Sequence, residues 1–208
     1  MLVPRLVPLS LPPVAAHATA LRAALTPADL AQIGLARNLF QASWAAPLAC
    51  YFLVEPRPVR FPMSISWTIR RGLPRLVHHA SWLAGWSIFA AALVRAGNAF
   101  VTTFSLQMFA TGALTVIMCP LSGRKLQDAI HWLSALIYMA DHVVMFGLLG
   151  TRPAFVATFW ACFAVMSVCT VVERRGEGGA LRAAEWGFML GEYGLFIAFL
   201  SGMLSGLR

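Results

Sequence analysis

The sequence predicts an all-α polytopic membrane protein, folded as a six-transmembrane-helix up-and-down bundle. Three observations predict it. Of 208 residues, 59% are hydrophobic and 12% charged, where a soluble domain carries about a quarter charged residues. The apolar residues gather into runs near the roughly 20 residues that a helix needs to cross a hydrocarbon core. The basic residues fall mostly in short segments between those runs, the pattern of topology signals and lipid-headgroup contacts. The formal charge of +8 therefore points away from nucleic acid, because no basic patch interleaved with aromatics lies in a soluble segment.

Residues 1–32 form a Pro-rich basic arm. Its first 28 residues hold Arg5, Arg22, one histidine and five prolines, with no acidic residue. Such a segment suits an organellar presequence, which is Arg-bearing and acid-poor, although its prolines and scarce serines suit a surface arm better. The transmembrane domain is expected over 33–208. Its first span, 39–54, is short and carries Pro47, which kinks or breaks helices; extension back to Ile33 gives adequate length. The connector after it is rich in Pro and Arg, and puts Arg57, Arg60, Arg70, Arg71 and Arg75 at headgroup level with Phe61 and Trp67. Spans at 76–94, 99–119, 129–149, 154–172 and 184–204 follow. Short separators such as Arg95 to Asn98 and Arg152-Pro153 allow only tight antiparallel hairpins.

Ten of the 16 Lys and Arg residues fall in the odd connectors and six on the other side. The positive-inside rule then puts the odd connectors in the cytoplasm or matrix and both termini opposite. The four cysteines lie in or beside apolar runs without a CxxC pair, and read as small packing residues.

Ionisable side chains inside spans are costly, so the fourth span draws attention. Asp128, His131, Ala135, Tyr138 and His142 recur at three- and four-residue steps along one helical stripe, with Asp141 beside it. In the sixth span Glu185 and Glu192 are seven residues apart and share a face. If the two faces meet, the bundle contains a polar seam. A structural seam, in which acids and histidines hydrogen-bond to one another and fix helix register, is the leading reading. A lipid- or proton-related role is a second. A metal site is the sharper one, since Asp128 and His131 have carboxylate-histidine ligand spacing, but a di-iron bundle needs two such motifs and further carboxylates. An intramembrane zinc hydrolase would need His78, His79, His131 and His142 to converge with an acid and a nucleophilic water. The expectation is therefore no metal, no cofactor and no catalytic set. Gly187, Gly191, Gly194, Ala198 and Ser201 form a stripe of small residues that permits close helix approach, more often internal packing than a partner site.

Several stretches resemble a six-span superfamily that contains the damage-regulated autophagy modulators, the GPI-anchor remodelling proteins and the Sfk-type membrane proteins. FPMSISWTIRRGLPR is similar to the Pro-x-x-Ser motif after that family's first span. TGALTVIMCPLSGRKLQDAIHWLSALIYM is similar to its third span, short loop and His-led fourth span, with His131 at the histidine position. AAEWGFMLGEYGLFIAFLSG is similar to its last span, with Glu185-Trp186 in the acidic-aromatic position. The resemblance implies regulation, lipid handling or recruitment of partners. It also implies a lumenal first connector, whereas the charge count puts the Arg-rich connector inside.

The residues read most directly as a non-catalytic accessory subunit that packs against membrane lipids and other membrane-protein subunits. An organellar complex such as a respiratory or ATP synthase assembly fits, with the mitochondrial inner membrane favoured. A lipid-remodelling or autophagy-related endomembrane protein is the alternative, and an intramembrane metal-dependent hydrolase the third reading.

Overall fold

The computed structural model describes residues 12–54, 69, 72–119, 124–175 and 179–207, with side chains over 16–50, 53, 69, 72–119, 124–172 and 187–207. The regular elements among them are all α-helices: α1 (Pro12–Ala24), α2 (Pro27–Val54), α3 (Gly72–Ala96), α4 (Ala99–Ile117), α5 (Lys125–Leu149), α6 (Pro153–Arg175) and α7 (Gly179–Gly202). Among the described residues, α3, α4, α5 and the Pro153–Val172 part of α6 are long and apolar enough to cross a membrane, and α7 contributes the shorter apolar stretch Gly187–Gly202.

Local chemistry fixes the ends. Asp29 N–H donates to Thr26 Oγ1 (3.2 Å) while the Asp29 carboxylate accepts from Thr26 N–H (3.1 Å). This is a reciprocal capping box, with Pro27 in the first helical position, where its missing N–H costs nothing. α2 therefore starts well before the apolar run at Leu39. At the α3–α4 turn, Asn98 Oδ1 accepts from Val101 N–H (3.2 Å). α5 stops at Gly150, whose φ of 63° is left-handed, and Thr151 N–H returns to the Phe146 carbonyl (3.0 Å).

Pro47 does not interrupt α2. A proline lacks the N–H that would bond the carbonyl four residues earlier, here that of Ser43. His78 of α3 supplies the missing donor, because its Nδ1 bonds the Ser43 carbonyl. A kink that would leave a bare carbonyl in hydrocarbon is thus closed by the neighbouring helix.

Helices pair as neighbours in sequence: α2 with α3, α4 with α5, α6 with α7, and α3 also with α4. α1 rests against the same end of α3, α4 and α5. Its Leu21 is fully buried, its His17 ring stacks on Phe100 at 4.6 Å, and the Arg22 guanidinium lies so close over Gly150 that a Cβ there would collide with it.

The interior is a chain of aromatic rings. Phe40 of α2 meets Trp86 of α3 (5.6 Å), Trp86 meets Tyr138 of α5 (5.9 Å), and His142 meets both Phe159 of α6 (5.0 Å) and Phe199 of α7 (4.7 Å). Gly112 of α4 makes room for it: a Cβ there would lie 2.6 Å from the Trp82 ring and 2.9 Å from Tyr138. On α7, added Cβ atoms at Gly187 and Gly194 would strike the sulfurs of Cys169 and Cys162 on α6, and one at Gly191 would strike Met166. The small-residue stripe therefore faces α6, and Ala198 continues it as a buried residue.

The exterior is apolar. Leu106, Leu133, Val143, Val168 and Leu190 are each more than half exposed. α6 contains the most apolar stretch of the four, yet only 6% of that stretch is buried in the protein. Water would make such a surface untenable, so hydrocarbon is its solvent.

Two outcomes test this packing. Gly112→Ala should lower the thermal midpoint in detergent by the equivalent of about 1–3 kcal/mol of overpacking; an unchanged midpoint would contradict the close contact. His78→Leu should destabilise by about 1–3 kcal/mol, whereas in a Pro47→Ala background the restored N–H takes the Ser43 carbonyl and the loss should largely vanish. Equal losses in both backgrounds would disprove the assignment.

Candidate functional site

The polar side chains of the spans collect along the α4–α5 contact. Because the helices run antiparallel, successive turns of α4 meet successive turns of α5 in reverse order. Nearest the α1 end, Gln107 Nε2 donates to Asp141 Oδ1 (3.0 Å) and Thr111 Oγ1 lies 3.4 Å from Asp141 Oδ2. One turn on, Thr115 Oγ1 lies 3.0 Å from Ser134 Oγ. His131 Nδ1 then bonds the Thr115 carbonyl (2.9 Å), and Gln127 Nε2 bonds the Met118 carbonyl (3.0 Å). These last two carbonyls belong to the end of α4, where a helix runs out of donors of its own. α5 supplies them.

The residues singled out in the sequence divide accordingly. His131 and Asp141 lie in this ladder. Tyr138 faces α3, where its hydroxyl accepts from Trp86 Nε1 (3.0 Å). His142 bonds its own helix through Nδ1 and the Tyr138 carbonyl (2.7 Å), and turns its ring to Phe159 and Phe199. Asp128 is half-buried in the first turn of α5, where the helix dipole favours a carboxylate. Glu192 is half-buried on α7 beside Tyr193, whose ring packs on Trp44 of α2 at 5.4 Å. The seam's hydrogen-bonded neighbour is thus α4, and α7 meets it through Phe199. The Glu185 side chain lies outside the described residues, as do Arg57, Arg60, Arg70 and Arg71; Arg75 is exposed in the first turn of α3.

The four span histidines do not converge. His78, His79, His131 and His142 each bond a backbone carbonyl through Nδ1, those of Ser43, Arg75, Thr115 and Tyr138. Among the described residues no three His, Cys, Asp or Glu side chains come together as metal ligands.

Sequence reasoning missed a second cluster at the α1 end. Arg95 Nη2 forms an ion pair with Asp29 (2.9 Å), and also donates to Gln32. Asn98 lies 2.6 Å from His17 of α1. The signal for Asp29 was present, since Thr26-Pro27-Ala28-Asp29 spells a capping box. Thr26 above all, and then Arg95, hold the Asp29 carboxyl below its ordinary pKa. A depressed folded-state pKa means stabilisation that is complete above the ordinary value of about 3.9 and is lost as pH falls through the folded value.

An NMR titration of the Asp29 carboxyl should place its midpoint below the ordinary value, and Arg95→Gln should raise it; a midpoint at or above the ordinary value would contradict the capping geometry. Tyr138→Phe, which strands the buried Trp86 N–H, should cost about 1–3 kcal/mol in a detergent melt. A neutral result would mean that Trp86 has another acceptor.

No protein-family model matches the chain, and neither the curated proteins nor the solved structures give a match to it.

Proposed function

We propose that the protein is a non-catalytic six-span membrane protein, a structural or accessory subunit that packs against other membrane proteins and lipids in an organellar complex. One observation carries this reading: many of the polar side chains described in the spans bond to one another or to helix carbonyls, and most of the large side chains on the outer face are apolar. His78 closes the Pro47 gap, His131 and Gln127 close the end of α4, and Tyr138 accepts from Trp86. What the bundle offers outward is chiefly surface, best displayed by α6. Such a surface suits lipid and the apolar faces of neighbouring subunits.

Six spans follow if α2 and α7 cross with the four apolar helices; both are long enough, at 28 and 24 residues. The mitochondrial inner membrane is favoured by the Arg-bearing first 28 residues, which hold no acidic residue, and by the charge of +8. The Arg-rich connector between α2 and α3 supports headgroup contact on the inner side.

Extraction from native membranes in a mild detergent, followed by native electrophoresis and mass spectrometry, tests the subunit reading. The chain should migrate in a larger assembly with other polypeptides in fixed ratio. Recovery of the chain alone, as monomer or homo-oligomer, would overturn that reading and favour the lipid-handling role implied by the motif resemblance.

A further inference from the structure

Two ionisable side chains of opposite type lie at one depth of the bundle with no ion-pair partner among the described residues. The level is set by three rings in contact, Phe40, Trp86 and Tyr138. α2 runs away from the α1 end and α5 runs toward it, so the third residue before Phe40 and the third after Tyr138 fall at one depth, one turn nearer that end. Those residues are Arg37 and Asp141. Arg37 is half-buried; its Nε is enclosed with no hydrogen-bond partner, and its Nη2 reaches exposed Asn38 (3.3 Å). Asp141 is 8% exposed, and its hydrogen-bond partners are the neutral Gln107 and Thr111. Among the described residues no cation pairs with Asp141 and no anion with Arg37; Arg95 and Asp29 form an ion pair nearer the α1 end.

The two cannot meet within one chain. Arg37 shares a face of α2 with Trp44, seven residues on, which packs against Tyr193 of α7. Asp141 lies on the α4–α5 contact. An arginine inside hydrocarbon needs a partner, and an aspartate at the same depth that it does not meet within one molecule suits contact between molecules, which would hold the carboxyl ionised. The surface around Asp141 admits a helix: Thr103, Gln107 and Ala110 of α4 and Ala140 of α5 are small or polar and exposed, which allows close approach. Gln107 is exposed with its Oε1 free for a guanidinium proton, beside a carboxylate that accepts bidentate donors.

We infer that a second copy of this chain docks on the α4–α5 face, with Arg37 of one copy paired to Asp141 of the next within the membrane. The contact is head-to-tail, so each copy presents one half of the pair on each side. This goes beyond the accessory-subunit reading, since it concerns the purified chain with no other polypeptide.

Complementation tests it. Wild-type protein, Arg37→Gln and Asp141→Asn are purified in lipid bicelles, with helix content and thermal midpoint compared to confirm folding. Wild type should self-associate, and each neutral variant alone should associate at least about tenfold more weakly, as expected for removing one member of a buried charge pair. A mixture of the two variants retains one intact pair, Arg37 from the Asp141→Asn chain and Asp141 from the Arg37→Gln chain. The mixture should form dimers and stop there. A monomeric wild type, a neutral variant that associates as wild type does, or a mixture that stays monomeric would each overturn the inference. Subunit membership is read separately by recovery of other polypeptides from native membranes.

Discussion

A polar group inside hydrocarbon has only other protein groups to bond to, and the interior of this bundle is arranged around that constraint. Pro47 is its sharpest case. The proline removes the donor that Ser43 would have had, and His78 restores it from the adjacent helix. The same logic operates at the end of α4, where His131 and Gln127 of α5 meet the carbonyls of Thr115 and Met118. Each of these bonds ties two helices at a defined register, so satisfying the backbone also positions the bundle.

Close packing supplies the rest. Lipid tails are as apolar as a leucine side chain, so helices in a membrane gain little from hiding apolar area and much from fit. Gly112 lets the Trp82 and Tyr138 rings approach α4, and the glycines of α7 let it approach the sulfurs of Cys162 and Cys169 on α6. The aromatic chain from Phe40 to Phe199 then links α2, α3, α5, α6 and α7 through rings in edge contact, with one stacked pair at His142 and Phe159, the arrangements that ring quadrupoles favour. At the α1 end, where polar groups gather, charge takes over: Arg95 and Asp29 join α3 to α2.

The helical membrane class was legible because apolar length is a one-dimensional signal. α3, α4, α5 and α6 fall on the apolar runs that predict them. The α2 boundary was not read, because hydropathy marks where the chain becomes apolar and not where the helix is capped; Thr26, Pro27 and Asp29 carried that information in their spacing. Periodicity put Asp141, Tyr138 and His142 near one another on a helix, but a helical wheel names a face and not a neighbour. Gln107, Trp86 and Phe199 turn out to be the respective neighbours, and only the three-dimensional packing selects them. Pro47 marked the Ser43 carbonyl four residues earlier as bare, but nothing in the sequence showed that His78, 35 residues on, supplies its donor.

The account stands on hydrocarbon being the solvent of the outer face, and α6 tests that most directly. Val165 and Val168 are 46% and 62% exposed on the most apolar of the four membrane-length helices. A spin label at Val168→Cys in reconstituted bilayers, on a background with the native cysteines replaced, reports collisions with dissolved oxygen and with a water-soluble nickel chelate. Strong relaxation by oxygen and almost none by the chelate is the result expected of a lipid-facing α6. Ready access of the chelate would contradict it, and with it the reading of this bundle as a membrane-embedded fold.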